Sequence, residues 1–488
     1  MKLFLCFIIL FISVYSIKEY SDAHYLKLNK DKCTIDGVEL ISQYPIFGVN
    51  FKKGIVNIVE KGTYIVSGEL NGKLNIATES GITKVILNGV TINSTINAIS
   101  IENGYELINT SIEDDPRILK KIDFTQAGIQ IIIADNSVNY LYGTEDGEQS
   151  GAIYSAITLH ITGEEKGNGI LYINSKYEGI EVYKHLCISG GIINMVSLDD
   201  GINTKISKDS VIYIKGGKII VNAGIDNHEG DGIDGNGYIL IDGGEIISSS
   251  NPRSDSGLDS NNGILIDGGR VYAIGSSMDM AEKESKQSTM NLIFNSSILP
   301  NNSISIKEKS GKEIFSFNTE KAEFIKGTQR KEYSAAIVSD PSFKSGNIYH
   351  IYLDGIQLGY TSNEKGGRFR PGPPPNDMRL KNLRKLEENK MKIDFVLGEG
   401  ACYYSGIQKY VEIVLLGNIA ELNIKFIVDC LLSFSAISIL EPIAYTLPPS
   451  INIPLLESSP ESDLGLDEDI ISPPSINIYP FPSIPSPS

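Results

Sequence analysis

A repeated glycine step is the feature that most restricts how this chain can fold. Five segments between Leu159 and Gly269 each end an apolar run with one or two glycines. The first glycines fall at positions 163, 190, 216, 243 and 268, so the spacings are 27, 26, 27 and 25 residues. A near-constant period of this size is typical of stacked coils, because one such repeat cannot bury its apolar face alone.

Each repeat contains short alternating apolar runs, such as Ile239 to Ile241 followed by Glu245 to Ile247. Their period of two and their β-branched residues indicate strands, and the glycines between them allow bends with positive φ. No helical period intervenes, which excludes a βαβ fold. We therefore predict an all-β protein: a right-handed parallel β-helix, that is, a single-stranded solenoid, with a small C-terminal module and a disordered tail.

Composition divides the chain into five parts. Residues 1–17 have the positive start and short apolar core of a signal peptide. Residues 54–360 are predicted to form the β-helix and its end cap, since β patterns extend on both sides of the repeats. Three segments follow: a Gly, Pro and charge-rich linker over 361–390, a small module of unknown role over 391–441, and an acidic Pro/Ser-rich tail over 442–488.

Several features agree with a secreted or wall-associated protein, and no later segment predicts a membrane span in the mature chain. Four cysteines remain after removal of the signal: Cys33, Cys187, Cys402 and Cys430. An even number permits two disulfides in any of three pairings. Four sequons suit a glycoprotein: Asn93, Asn109, Asn295 and Asn301. The oligomeric state is left open.

The chain is acidic, with a net charge of −17 and a pI near 4.9. Nucleic acid is therefore excluded as a partner, because phosphate backbones attract clustered Lys and Arg. Part of the charge belongs to the tail, which has no Lys or Arg after Lys425. The remaining acids are concentrated at one point of the repeat, where a cation is the expected partner.

Two columns of polar side chains appear when the repeats are aligned on the glycine that precedes their first strand. The first column holds Glu178, Asp200, Asp231 and Ser256. The second column holds Glu181, Asn203, Asp234 and Asp259. Further acids at the same corner are Asp199, Asp226 and Asp255. The spacing predicts that both columns lie at the same turn of successive coils.

This corner predicts Ca²⁺ as the cofactor. Adjacent strands lie about 4.8 Å apart and Ca²⁺ takes oxygen ligands at about 2.3–2.6 Å, so one ion fits between oxygens of consecutive coils. Stacked carboxylates without a cation would repel one another. A zinc site would need His or Cys, and only His228 lies nearby. The alternative is a turn ladder, in which Asp and Asn side chains accept hydrogen bonds from backbone amides at each bend.

The order of these segments resembles a known family. Asn88 to Ile92, the two Asp-Gly-Ile steps at Asp200 and Asp231, and Ser339 to Pro341 are similar to the calcium-containing carbohydrate-binding β-helix proteins of cellulolytic bacteria. The resemblance covers about residues 54 to 360. It implies a solenoid like that of pectate lyases, binding of cellulose and of acidic sugars such as polygalacturonate, and calcium held by acidic turns. This chain departs from the pattern at Ser256, which replaces an acid, and after residue 364, where no counterpart is recognised.

Three functions fit these observations. A non-catalytic protein would bridge acidic polysaccharide through Ca²⁺ and stack neutral chains on Tyr, of which there are 24 with no Trp. A polysaccharide lyase would need Ca²⁺ and a basic residue for β-elimination, and the candidate bases near the corner are Lys184, Lys205 and Arg253. A wall or adhesion scaffold would have no affinity for sugar.

Overall fold

The structure is a computed structural model. It describes residues 20–41, 44–109, 112, 115–143, 151–225, 228–251, 255–276, 279–298, 302–318, 332–363 and 391–410. The predicted signal peptide (1–17), the tail (442–488) and most of the linker (361–390) lie outside these residues. The chain divides into two compact units, Met1–Glu412 and Ile413–Ser488, and every described residue belongs to the first.

Stacked parallel strands form the centre of this unit and line three faces, numbered in the order in which each coil visits them. Face 1 contains Gly62–Asn71, Thr83–Asn93, Ile129–Ile133, Leu159–Gly163, Leu186–Ile188, Val211–Ile214, Tyr238–Ser249 and Gly263–Gly275. The first two and last two of these strands pass through a register shift and continue into face 2. Face 2 also contains Val138–Gly143, Ile170–Ser175, Ile192–Ser197 and Lys218–Asn222.

Face 3 is a separate sheet of nine short strands. Its members are Val49–Lys52, Ile55–Ile58, Lys73–Ala77, Ile99–Asn103, Ile153–Ser155, Ile180–Val182, Ile202–Thr204, Ile233–Gly235 and Leu258–Ser260. All pairings after the first are parallel. The predicted all-β class, with parallel strands in a solenoid-like stack, is confirmed.

The apolar residues of each repeat meet inside the stack. On face 3, Ile180, Ile202 and Ile233 pair in register, and each is fully buried. Because side chains alternate along a strand, the middle residue of each three-residue strand points outward. From Ile180–Val182 to Leu258–Ser260, face 3 therefore presents one outward side chain per coil, and these four side chains are the second column of the acidic corner.

The glycine before each face 3 strand is required by close approach between coils. A Cβ atom at Gly232 would collide with Ser248 Oγ and the carbonyl oxygen of Gly257. A Cβ atom at Gly201 would collide with Val221 and the carbonyl oxygen of Gly232. The recurring Asp-Gly-Ile step thus has a steric cause, and it keeps the acidic residue that precedes the glycine at a constant place in the coil.

Both ends of the parallel stack are covered. The N-terminal strands are Ala23–Lys30, Lys32–Ile35 and Val38–Glu39, and the first pairs in parallel with Gly62–Asn71. The C-terminal strands are Thr289–Ile298, Ser303–Glu308, Glu313–Asn318, Tyr333–Ser339, Ile348–Leu353, Ile356–Gly359, Phe395–Val396 and Ala401–Lys409. Tyr333–Ser339 pairs antiparallel with the last strand of the stack, Gly263–Gly275, and so ends the parallel repeat.

The region predicted as a small module, 391–441, is described only over 391–410. There Ala401–Lys409 pairs with Thr289–Ile298, and Phe395–Val396 pairs with Ile348–Leu353. These residues therefore add strands to the C-terminal sheet, because the buried aromatic residues Phe395 and Tyr404 pack into its core.

A segment that we call the strap, residues 104–127, crosses the outside of face 1. It contains two 3₁₀ helices, Pro116–Lys121 and Phe124–Gln126. The strap and face 1 share one apolar cluster: Ile108, Ile112, Leu119, Phe124, Cys187, Val211, Tyr213, Leu240 and Leu265. Arg117 donates from Nε to Asp267 at 2.7 Å and from Nη2 at 2.9 Å. The strap is thus held to the stack by packing and by a bidentate ion pair.

The described part of the chain contains no helix with the length and apolarity needed to cross a membrane. Its three cysteines, Cys33, Cys187 and Cys402, are free thiols. Cys430 lies outside the described residues.

Candidate functional site

The first column of the corner lies where the coils turn into face 3. Gly179 N–H donates to the Asp200 carbonyl at 2.9 Å, and Gly201 N–H donates to the Asp231 carbonyl at 3.0 Å. Glu178, Asp200 and Asp231 therefore precede equivalent glycines on successive coils, and Glu178 and Asp200 are nearly buried, with 7% and 9% of their surface exposed.

Two carboxylates of this column, and Asp255 beside it, accept hydrogen bonds from the backbone of neighbouring coils. Asp200 Oδ1 accepts from Asp231 N–H at 2.8 Å, and Asp231 Oδ1 accepts from Ser256 N–H at 2.5 Å. Asp255 Oδ2 accepts from Gly230 N–H at 2.9 Å. One oxygen of Asp200, of Asp231 and of Asp255 is thus used as the turn-ladder alternative expects, which fixes these three carboxyl groups in place.

The second column runs along the outside of face 3. Its members pair in strict register: Glu181 with Asn203, Asn203 with Asp234, and Asp234 with Asp259. Glu181 is fully buried. Asn203 Nδ2 donates to Asp200 Oδ2 at 2.9 Å, so the two columns are in contact.

The acids at this corner destabilise one another's charged forms. Burial raises the pKa of Asp231 to about 7 and that of Asp234 to about 6, and the charges of other acids at the corner add to both shifts. Burial, followed by the charges of Asp234 and Asp199, raises the pKa of Asp200 well above its usual range. Burial, followed by the charge of Asp255, also raises the pKa of Asp199. Such a site favours a bound cation.

The alignment of the repeats on their glycine did not identify one acid of this group, Asp279. Burial, followed by a hydrogen bond with Asp279 and the charges of neighbouring acids, raises the pKa of Asp259. Asp279 N–H donates to Ser256 Oγ at 3.3 Å, which places it beside the last member of the first column. Its coil lacks the glycine step on which the other repeats were aligned; the only sequence signal is an acid 20 residues after Asp259.

The donor set fits calcium chemically. The side chains that meet at the corner offer carboxylate, amide and hydroxyl oxygens, which are the ligands that Ca²⁺ prefers. Among the described residues, no three or more His, Cys, Asp and Glu side chains already converge as a metal-binding group. Calcium therefore stays a prediction, and so does the ligand role of each predicted residue. Asp226 lies outside the described residues.

The candidate lyase bases are engaged in ion pairs where they are described. Lys205 Nζ lies 3.0 Å from Glu181 Oε1, beside the second column. Lys184 Nζ lies 3.2 Å from Glu106 Oε2, against the strap and not at the acidic corner. Arg253 lies outside the described residues. Only Lys205 is therefore placed near the acids that would hold the cation.

A second polar surface lies on face 2, and we call it the Tyr platform: Tyr140, Tyr142 and Tyr172. Tyr140 and Tyr172 pair in register, and their rings stack with centroids 5.1 Å apart at 13°. Tyr142 lies in register between Asn93 and Asn174, both of which are exposed. Aromatic rings flanked by exposed amides are chemically suited to sugars, which offer both C–H faces and hydroxyl groups.

Comparison with known proteins connects these surfaces to a family. The family model for carbohydrate-binding domain-containing proteins matches residues 52–311, which is more than half of the chain. The chain belongs to this family. The matched region includes every described coil of the parallel stack from Ile55 onward, and it contains the acidic corner, the strap and the Tyr platform.

One solved structure is similar to this carbohydrate-binding domain. It is a gadolinium derivative of a polysaccharide lyase-like protein from C. thermocellum, with 22% sequence identity and a TM-score of 0.36. The similarity covers 53% of this chain and 96% of that chain. No curated protein gives a significant match.

Proposed function

We propose that this chain is a secreted, non-catalytic protein that binds plant cell-wall polysaccharide, either cellulose or polygalacturonate, with Ca²⁺ at the acidic corner. The observation that carries the proposal is the corner itself. Glu181, Asp234 and Asp259 stand on an outer face of a domain whose family binds carbohydrate. Stacked acids of this kind are unfavourable without a cation.

Calcium would serve two purposes at this corner. It would relieve the repulsion at Asp234 and Asp259, whose pKa values are raised by burial and by the charges of neighbouring acids such as Asp279. A bound Ca²⁺ also takes six to eight oxygens, more than a few fixed side chains provide, so it can accept further ligands from the carboxylates of a uronate chain. Bridging of acidic polysaccharide follows from these two properties.

Neutral chains would bind elsewhere, on the Tyr platform. Tyr140 is 37% exposed on face 2, and the exposed amide of Asn174 belongs to the same face. Among the described residues, none that pairs in register with these three Tyr is Lys or Arg, so no positive charge in these rows favours uronates over neutral sugars. Cellulose is the neutral polymer that we propose here.

A polysaccharide lyase is the alternative, and the ion pairs weigh against it. An ammonium group held against a carboxylate has no lone pair with which to remove a proton. Lys205 is held by the buried Glu181, and Lys184 by Glu106. A scaffold without sugar affinity is the second alternative, and the family assignment weighs against it.

The proposal includes a right-handed coil and secretion. Connections between parallel strands of one sheet are almost always right-handed, which supports the right-handed coil. The apolar start of the chain and its sequons support the second. An experimental structure tests the handedness, and N-terminal sequencing of protein recovered from culture medium tests cleavage near residue 17.

The deciding experiment measures binding of the mature full-length protein to polygalacturonate and to cellulose, each with Ca²⁺ and with chelator. Absorbance of unsaturated uronate is followed in the same samples. We expect polygalacturonate binding that chelator abolishes, cellulose binding that chelator leaves unchanged, and no product. Accumulating product would make the protein a lyase, and failure to bind either polymer would leave the scaffold.

A further inference from the structure

A small cleft lies between the strap and the turns that follow Ile180–Val182 and Ile202–Thr204. It has a volume of about 210 Å³. Its walls include Ile108, Asn109, Lys184, His185, Ile206 and Asp209. The first two belong to the strap and the other four to two successive coils, so the cleft exists only because the strap crosses the stack.

His185 is the most informative wall residue, since it is 95% buried yet not fully hydrogen-bonded. Its Nδ1 accepts from Val211 N–H at 3.2 Å, which places the proton of the neutral ring on Nε2. Burial lowers the pKa of His185 to about 4, so the ring is neutral near pH 7. The hydrogen bonds of the described residues leave Nε2–H unused, and this atom is not among their fully buried atoms that lack a partner, so it is accessible at the cleft that His185 lines.

The charges around the cleft disfavour an anionic ligand. Lys184 Nζ is ion-paired with Glu106 at 3.2 Å, and Asp209 lies exposed at the rim. The cation is thus offset by two carboxylates. A uronate or a phosphate would meet no net positive charge, whereas a neutral ligand with several hydroxyl groups would find both donors and acceptors.

Size and shape limit the ligand further. Pockets for drug-sized molecules are about 300–1,000 Å³, so a cleft of about 210 Å³ suits a single sugar ring rather than an oligosaccharide. Ile108 and Ile206 supply apolar wall that can pack against the C–H groups of such a ring.

We propose that this cleft binds one neutral hexose residue, such as the end of a polysaccharide chain, with His185 Nε2–H as the buried donor to a sugar hydroxyl. Asp209 supplies acceptor oxygens at the rim. The inference rests on the proposed function only in that the ligand is a carbohydrate; the site is separate from the acidic corner and needs no calcium.

The test is ligand-observed NMR titration of the full-length protein, produced without N-glycans, with D-glucose, D-galactose and D-galacturonate. His185→Asn is the decisive variant, because the Asn oxygen can still accept from Val211 N–H while the Nε2 donor is lost. We expect wild-type protein to bind at least one neutral hexose more tightly than galacturonate, with or without chelator. His185→Asn should weaken that binding by about tenfold.

Two further variants keep the test decisive. Asp209→Ala removes an exposed rim acceptor without touching the core, and it should also weaken the neutral sugar. Tyr183→Ala removes an exposed ring next to Lys184 that does not line the cleft, and it should change nothing. Equal affinity in wild type and both cleft variants, preference for galacturonate, or no saturation by either hexose would overturn the proposal. Calcium-dependent binding of polygalacturonate, measured on the same samples, reports separately on the proposed function.

Discussion

The acids of the corner fall into two groups, according to whether a carboxyl oxygen already accepts a hydrogen bond from the backbone. Asp200 and Asp231 each give one oxygen to a backbone amide of the next coil, which fixes them as part of the turn. Asp234 and Asp259 stand on the outer face of short strands and make no such bond to the backbone in the described structure. The second column is therefore the one whose charges a cation would chiefly satisfy.

Asp234→Asn tests this division. The amide has nearly the same size but removes one charge from the repulsive group, so the calcium-free protein should become more stable by about 1 kcal/mol at pH 7. The rise in melting temperature on adding Ca²⁺ should shrink, because one ligand is weaker. Thermal unfolding with Ca²⁺ and with chelator measures both effects. Asp31→Asn, at an exposed turn, serves as the control, and equal calcium stabilisation in wild type and Asp234→Asn would contradict the role of the second column.

Asp267 leads to a prediction of how the stability of the fold changes at acidic pH. Its burial opposes ionisation, but the hydrogen bonds from Arg117 and Lys120 lower its pKa to about 2. A carboxyl group whose pKa is lower in the folded protein than in the unfolded chain stabilises the fold. This stabilisation is complete above the pKa of the unfolded chain, about 4, and is lost as the pH falls through the folded-state pKa of about 2. Asp267→Asn should therefore cost about 2 kcal/mol at pH 6 and little at pH 2.

Urea denaturation of wild type and Asp267→Asn at several pH values measures this difference. Glu39→Gln is the matched control, since Glu39 forms an exposed ion pair with Lys32 at 3.5 Å and should show almost no effect at either pH. A difference between wild type and Asp267→Asn that does not narrow in acid would show that the ion pair is not its source.

The residues of the site could be predicted from the sequence where the same steric requirement recurs in each coil. Asp200 and Asp231 precede glycines that the contact between coils requires, so the motif itself marks their place. Asp279 was missed because its coil has no such glycine. The Tyr platform was missed as a surface because Tyr140 and Tyr172 meet only through the register of strands from different coils, and Tyr172 follows 32 residues after Tyr140.

At the scale of elements, the strap is the part that periodicity did not reveal. It interrupts the repeat between Ile99–Asn103 and Ile129–Ile133, and its short 3₁₀ helices carry no regular apolar period. Its position depends on long-range contacts, such as that between Arg117 and Asp267, that no local pattern encodes. The strands of the stack were predictable because each one repeats the environment of its neighbour.

The strap also explains the state of Cys187. This thiol is fully buried beneath the strap, and burial raises its pKa to about 12, so it should be unreactive in the native protein. The double substitution Arg117→Ala and Lys120→Ala removes the ion pairs with Asp267 and Asp242. We expect the strap to open more often and alkylation of Cys187 to accelerate by at least about tenfold.

Mass spectrometry after brief treatment with iodoacetamide measures that rate at each cysteine. Cys33 is the internal control, since it is also buried but belongs to the N-terminal end of the main core. Its rate should not change. Acceleration at both cysteines would indicate global destabilisation, and acceleration at neither would show that packing alone holds the strap.

At the scale of the whole molecule, a parallel stack must end without an open edge. An unpaired edge strand exposes backbone donors and acceptors and invites association with other chains. At the C-terminal end, Tyr333–Ser339 reverses direction against Gly263–Gly275, and Thr289–Ile298 continues that sheet. The last strand to join is Ala401–Lys409, which comes from beyond the Pro-rich segment. Composition predicted a boundary there, but pairing over more than 100 residues cannot be inferred from composition.

This arrangement predicts the effect of shortening the chain. A protein that ends at residue 363 loses one of the two strands that pair with Thr289–Ile298, namely Ala401–Lys409. It also uncovers Tyr360, whose ring centroid lies 4.7 Å from that of Phe395 and 5.0 Å from that of Tyr404. It should melt at a lower temperature than the full chain and self-associate through the open edge. A protein that ends at residue 412 keeps both strands and should retain the melting temperature and monodispersity of the full chain in calorimetry and light scattering. If the shorter protein matched the longer one in both measurements, residues 391–410 would be a separate module after all, and the end of the stack would be closed without them.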